Sequence, residues 1–177
     1  MELFVRFCDR LAVACGVASG LLMIVSTLLV LAEIFVRTAF SKTLYITEEY
    51  SGYMMEAMTF LALAYTLKDK GHIRMTFLHT IAKGRAKVMV DIFAFCVGAV
   101  FCAVLTYTTA DFFWDAVMTK SRSMSISQTY MAIPQFFMPF GTLVMTLQFF
   151  AEIFRSVLLL RSGKVDDVEA ESNLLGR

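Results

Sequence analysis

The chain has 177 residues, of which 58% are apolar and 18% are charged, and its formal net charge is +1. So many apolar side chains exceed what one small soluble core hides, which indicates an integral membrane protein. A net charge this close to zero excludes a general attraction to nucleic acid. The cysteines, Cys8, Cys15, Cys96 and Cys102, lie in or beside apolar runs without metal-ligand spacing, which is typical of buried residues.

Four segments are apolar enough to cross a bilayer as helices, which takes roughly 20 residues each. They cover about residues 11–36, 50–67, 88–107 and 136–160, and we predict an all-α membrane protein with four transmembrane helices. Residues 1–161 then form one four-helix membrane domain, and residues 162–177 form a polar tail. A cleaved signal peptide is the alternative for the first segment, but this segment is too long and lacks a small-residue cleavage site.

Small residues one helical turn apart form rows on two of these spans. Gly16 and Gly20 belong to such a row in the first span, and Gly98 belongs to one in the third. Rows of this kind let helices approach closely within a membrane. They predict either contacts inside the chain's own bundle or a flat face for a partner subunit.

Charged residues within the spans need a partner or a function, because a charge at membrane depth is costly. Glu33 and Arg37 are spaced i, i+4 near the end of the first span, which predicts a local ion pair. Glu56 has no basic residue within one turn of its own helix. We expect it to be protonated, to be bonded to a neighbouring helix or to face another protein, with ion or substrate binding as a further alternative.

The orientation follows from the distribution of Lys and Arg. These residues are concentrated in the N-terminal segment, in the 68–87 connection and in the C-terminal part, and they are few in the 37–49 and 108–135 connections. Basic connections stay in the cytoplasm, so both termini are predicted to be cytoplasmic. The segment from Asp111 to about Met131 is too polar to span and too apolar for a free loop, which predicts a short amphipathic or interfacial segment on the periplasmic side.

No motif in the sequence is typical of an enzyme. His72 and His79 fall in the cytoplasmic connection, whereas a membrane cytochrome needs axial histidines on facing helices at membrane depth. Phosphate-binding glycine motifs, HExxH and nucleophile-base patterns are absent from the sequence. We therefore predict an accessory membrane subunit without cofactor or metal. The alternatives are a standalone four-span scaffold and the anchor subunit of a redox complex.

Several stretches stand in a specific order along the chain: EIFVRTAF (33–40), TEEYSGY (47–53), FLALAYTLKDKGHIRMTFL (60–78) and SRSMSISQTYMAIPQFFMPFG (121–141). Together they resemble the small membrane subunit of the TRAP (tripartite ATP-independent periplasmic) transporters. Glu56 departs from the family pattern, which is apolar at that position. The resemblance falls on these turn, ion-pair and interface candidates: Glu33, Arg37, Glu48, Glu49, Gly71, His72, Arg74, Pro134, Pro139 and Gly141.

The resemblance implies a three-part importer in the bacterial inner membrane. In such importers a periplasmic binding protein captures an organic acid, such as a sialic acid or a C4-dicarboxylate. A large multispan subunit then carries the acid together with sodium by an elevator-type movement. The small subunit forms a heterodimer with the large one, stabilises it and helps to dock the binding protein, with membrane lipid around both. The resemblance also implies that no ATP is used.

Overall fold

The computed structural model describes residues 2–43, 45–69 and 85–162. Long helices fill most of these ranges, namely α1 (Glu2–Phe40), α2 (Ile46–Lys68), α3 (Arg85–Met118) and α5 (Phe137–Ser162). The one-turn helix α4 (Ala132–Gln135) comes just before α5. The described ranges contain no strand, only an isolated antiparallel bridge between Arg122 and Tyr130, which confirms the all-α prediction.

Three stretches of helix are long and apolar enough to cross a membrane: Leu3–Phe40, Val88–Met118 and Ala132–Leu158. They contain the first and third predicted spans and most of the fourth. Helix α2 is not among them, and its residues 50–67 include several Tyr and Thr residues as well as Glu56. The second predicted span, residues 50–67, therefore stays a prediction.

Helix α3 continues through Met118, so it extends past the third predicted span and includes the first part of the predicted interfacial segment at residues 111–131. The physical reason is a tertiary contact. The rings of Phe113 and Phe136 lie 5.9 Å apart between their centroids, and Ala116 is buried on the same side of the helix. Further helix thus buries apolar surface, which a surface segment would leave exposed. Only residues 119–131 depart from helix between α3 and α4.

The long helices alternate in direction. Helix α1 packs mainly against α2, α3 packs mainly against α5, and α2 and α5 also pack together. Between α3 and α5 the Oγ1 atoms of two threonine pairs lie 3.4 Å apart, Thr106 with Thr146 and Thr109 with Thr142. Small residues dominate the centre of the bundle, as close approach of helices requires. The buried cluster includes Ala12, Cys15, Ala64, Ala99, Cys102 and Val144.

A polar network joins α1 and α5 at one end of the bundle, which we name the Asp9 end. Gln148 is fully buried and donates from Nε2 to Asp9 Oδ1 at 2.9 Å. Arg155 donates to Asp9 Oδ2 at 2.8 Å and to Glu152 Oε1 at 2.6 Å. Because both acids face the same guanidinium, the start of α1 is fixed to the last turns of α5.

Candidate functional site

Glu33 marks the opposite end of the bundle, which we name the Glu33 end. Residues 11–32 of α1 are uncharged, which corresponds to about 33 Å of helix and is close to the thickness of the hydrocarbon layer. Arg37 Nη2 lies 3.1 Å from Glu33 Oε1, and Thr47 Oγ1 donates to Glu33 Oε2 at 3.4 Å. The buried Glu33 carboxylate therefore holds the start of α2 against α1.

The glycines differ in what surrounds them. A Cβ at Gly16 would stand 2.6 Å from the ring of Tyr65 on α2, and one at Gly98 would stand 2.7 Å from the ring of Phe149 on α5. A Cβ at Gly20 would meet nothing within 4 Å. Gly16 and Gly98 thus permit contacts inside the chain's own bundle, whereas Gly20 lies on an open face.

The predicted proline and glycine positions of the fourth span lie at the α4–α5 junction. Pro134 is buried in α4, and Pro139 lies in the first turn of α5. Gly141 lies directly against the backbone carbonyl of Phe60, so a Cβ there would collide with main chain. The absence of a side chain at Gly141 therefore allows α5 to approach the backbone of α2.

Glu56 lies in the middle of α2 and is partly buried. Its Oε1 atom is inaccessible to solvent and has no hydrogen-bond partner among the described residues. A buried acceptor without a partner costs free energy. The structure therefore brings Glu56 to a covered position without supplying a hydrogen bond to that oxygen.

The two acids that open α2 have different surroundings. Glu48 is exposed, whereas Glu49 is partly buried and accepts hydrogen bonds on both oxygens. Tyr53 donates to Oε1 at 2.6 Å, and the hydroxyls of Ser125 and Ser127 donate to Oε2. Hydrogen bonds from Ser125, Ser127, Tyr53 and Ser123, in that order of size, lower the pKa of the Glu49 carboxyl from 4.5 to about 2.

The serines belong to a short hairpin formed by residues 121–131, which we name the 121–131 hairpin. Ser123 N–H donates to the Thr129 carbonyl at 2.9 Å, and Met131 N–H donates to the Ser121 carbonyl at 3.1 Å. Gln128 near the turn has a φ of 45°, in the left-handed region. Thr129 also donates to the Tyr50 hydroxyl at 3.4 Å. The hairpin is therefore bound along its length to the first turns of α2.

An open cavity of about 400 Å³ lies between the 121–131 hairpin and the end of α3. Its lining includes Asp115, Arg122, Phe112 and Gln135. Gln135 is buried, and its Oε1 atom has no hydrogen-bond partner among the described residues. Among the residues that the structure describes, no group of three or more His, Cys, Asp or Glu residues is arranged to hold a metal ion.

The predictions for Gly71, His72 and Arg74 concern residues outside those that the structure describes. The clustering of Glu49 with the hairpin serines was not predicted. Its sequence signal is the row of hydroxyl residues at every second position from Ser121 to Thr129. Such a row reads as one side of an extended segment, but nothing in the sequence shows which acid receives it.

Comparison of the sequence with family models tests the resemblance. The family described as "Tripartite ATP-independent periplasmic transporters, DctQ component" matches residues 26–159. The chain belongs to the DctQ family. As a DctQ component it is a membrane subunit of a TRAP transporter complex, and its family is one of transporter components rather than enzymes. The matched DctQ region includes Glu33, Glu49, the 121–131 hairpin and the α4–α5 junction. Comparisons with curated proteins and with solved structures gave no match.

Proposed function

We propose that the chain is the small scaffold subunit of a sodium-coupled importer of an organic acid, such as a sialic acid, a C4-dicarboxylate or another carboxylate. Membership of the DctQ family carries this proposal. The uneven burial of the helices supports the scaffold role. Large apolar side chains stay exposed along α1, as at Leu21 and Leu28, and along α3, as at Val100 and Val104. These helices offer apolar surface to a large multispan partner in a heterodimer and to lipid.

In the proposed arrangement α2 is the second of four membrane spans. It runs beside α1 and α5 from the Glu33 end towards the Asp9 end, with Ser19 of α1 donating to the Met58 carbonyl near its middle. The concentration of Lys and Arg outside the 37–49 and 108–135 connections supports cytoplasmic termini. The Glu33 end then faces the periplasm from the bacterial inner membrane.

The same orientation assigns a role to the Glu33 end. Residues 42–43, 45–49 and 111–130 lie at this end and are joined through Glu49 and the 121–131 hairpin. They therefore form one continuous surface rather than two separate loops. We expect this surface to receive the periplasmic binding protein beside the large subunit.

Co-purification tests the proposal most directly. The chain is expressed with an affinity tag in its native host cells and is purified from the membrane in mild detergent. The expected result is one large multispan membrane protein bound in equal amount, and sodium-dependent uptake of an organic acid when both are reconstituted with the binding protein. A chain that purifies alone and stays folded, as judged by circular dichroism, contradicts the scaffold role.

A further inference from the structure

In the 121–131 hairpin, hydroxyl side chains face the protein and large apolar side chains face outward, which is the reverse of the usual arrangement in a soluble protein. Side chains at alternate positions are partly buried, and all of them carry a hydroxyl: Ser121, Ser123, Ser125, Ser127 and Thr129. The intervening side chains are exposed: Arg122, Met124, Ile126 and Gln128. Met124 is 106% exposed and Ile126 is 78% exposed. An extended segment in water normally turns its apolar side inward, so this hairpin is arranged for surroundings other than water.

Glu49 explains how the hydroxyl row can face inward. Its carboxylate accepts hydrogen bonds from Ser125 and Ser127. Ser123 donates to the Ser125 hydroxyl at 3.0 Å, and the hydroxyl oxygens of Ser127 and Thr129 lie 2.8 Å apart. Hydrogen bonds to an ionised carboxylate are stronger than those between neutral groups. The hydroxyls of Ser123, Ser125, Ser127 and Thr129 are thus hydrogen-bonded inside the protein, which leaves the opposite side of the hairpin free to be apolar.

The position of the hairpin identifies the surroundings. The stretches of helix that are long and apolar enough to cross a membrane end at Met118 in α3 and begin at Ala132 in α4, so the hairpin connects the ends of two candidate spans. Its contacts with Glu49 and Tyr50 keep it beside the bundle. Exposed aromatic side chains, which are enriched at the boundary between lipid and water, occupy the same end: Tyr45, Tyr50, Trp114 and Phe136.

We infer that Arg122, Met124 and Ile126 form a lipid-contact surface, and that Glu49 is the positioning residue that turns them outward. Met124 and Ile126 enter the boundary between headgroups and acyl chains, and the Arg122 guanidinium pairs with a phospholipid phosphate. A row of one cation and two flexible or branched apolar side chains is the composition of an interfacial anchor. Within the proposed docking surface, these three side chains therefore face lipid, and the residues around them contact the binding protein.

Depth measurement by spin labelling tests this inference in the full chain. Cys8, Cys15 and Cys102 are buried and Cys96 is exposed, so Cys96→Ala provides a background with low labelling. Nitroxides are attached at Met124→Cys and at Ile126→Cys in phospholipid nanodiscs, with Lys42→Cys as an exposed reference. We expect both hairpin labels to be more accessible to oxygen, which partitions into lipid, than to a water-soluble nickel chelate. The reference label should show the opposite order.

The contrary results are equally clear. Greater access of the nickel chelate at both hairpin sites would place the side chains in water and overturn the proposal. Protection from both reagents that appears only when the large subunit or the binding protein is added would assign these side chains to a protein contact instead.

Glu49 is tested in the same labelled chains. We expect Glu49→Ala to abolish the excess of oxygen access at position 126, because the hydroxyl row loses its acceptor and the hairpin turns freely. The matched control is Glu48→Ala, which removes the exposed neighbouring acid and should preserve the excess. An unchanged depth in Glu49→Ala would overturn the positioning role. Co-purification with the large subunit is measured separately, so loss of lipid contact and loss of the scaffold function are told apart.

Discussion

Gly141 of α5 lies directly against the carbonyl oxygen of Phe60 in α2, closer than any side chain at position 141 would allow. The contact is with backbone, which cannot rotate away as a side chain can. Two helices that run in the same direction are thereby brought together near the middle of α2, close to the point where Ser19 of α1 donates to the Met58 carbonyl.

Gly141→Ala is expected to destabilise the chain, because overpacking at a rigid contact costs about 1–3 kcal/mol. The midpoint of thermal unfolding in detergent measures the effect. Gly98→Ala should cost less, since its Cβ meets the Phe149 ring, which can move. Gly20→Ala is the control, and nothing stands within 4 Å of its Cβ, so its unfolding midpoint should be unchanged or raised. An equal loss in all three variants would contradict the assignment.

Asp9 is expected to matter more through Gln148 than through its charge. Asp9→Ala leaves the fully buried Gln148 amide without its acceptor, and we expect a loss of about 1–3 kcal/mol in unfolding free energy. Asp9→Asn keeps an oxygen for Gln148 and removes only the charge that faces Arg155. It should therefore lose less. Denaturant titration of both variants decides the order, and a larger loss in Asp9→Asn would point to the ion pair instead.

The hold of Glu49 on the hairpin is expected to resist mild acid. Its pKa in the folded chain is lowered to about 2, below the ordinary value of 4.5. A lowered pKa means that the stabilisation is complete above pH 4.5 and is lost as the pH falls through about 2. A nitroxide at Ile126→Cys should therefore remain immobilised at pH 5 and gain mobility towards pH 2. In Glu49→Gln this pH dependence should disappear. A mobility transition near pH 4.5 in the chain that keeps Glu49 would contradict the lowered pKa.

Charge reversal at the Glu33 end tests the docking surface. Lys42→Glu changes an exposed residue outside the hydrogen-bonded cluster. If the binding protein docks there, transport in reconstituted vesicles should fall about tenfold when that protein is scarce, and should recover in part at high salt. The two membrane subunits should still co-purify. Unchanged transport at every salt concentration would remove Lys42 from the docking surface.

Glu56 is expected to affect the free chain and the complex in opposite directions. Glu56→Met removes a buried oxygen that has no partner among the described residues, so the isolated chain should gain about 1–3 kcal/mol of stability. If Glu56 contacts the large subunit, the same substitution should reduce the amount that co-purifies. Glu56→Gln keeps the polar contact and serves as the control. A stable complex of Glu56→Met would exclude the partner contact.

The helices and their close contacts could be predicted because they depend on local composition. Apolar runs of sufficient length indicate helices α1, α3 and α5, and small residues such as Gly16 and Gly98 indicate where neighbours approach. The end of α3 could not be predicted, because its last turns are stabilised by Phe136, which is distant in sequence. The Glu49 cluster could not be predicted for a similar reason. The row of hydroxyl residues indicates one side of an extended segment, but it does not show which acid accepts their hydrogen bonds.

The central place of α5 has a consequence for how the chain is assembled. Helix α5 packs against α1, α2 and α3, and it carries the buried Thr142, Thr146 and Gln148. A chain is synthesised from its N-terminus, so the helix that unites the others is the last of the described ones to leave the ribosome. Until then Asp9 lacks its Gln148 partner and α3 lacks its main neighbour. Helices α1 and α2 can pack together earlier, but the complete bundle waits for α5, and chains that lack α5 cannot present the finished scaffold to a partner.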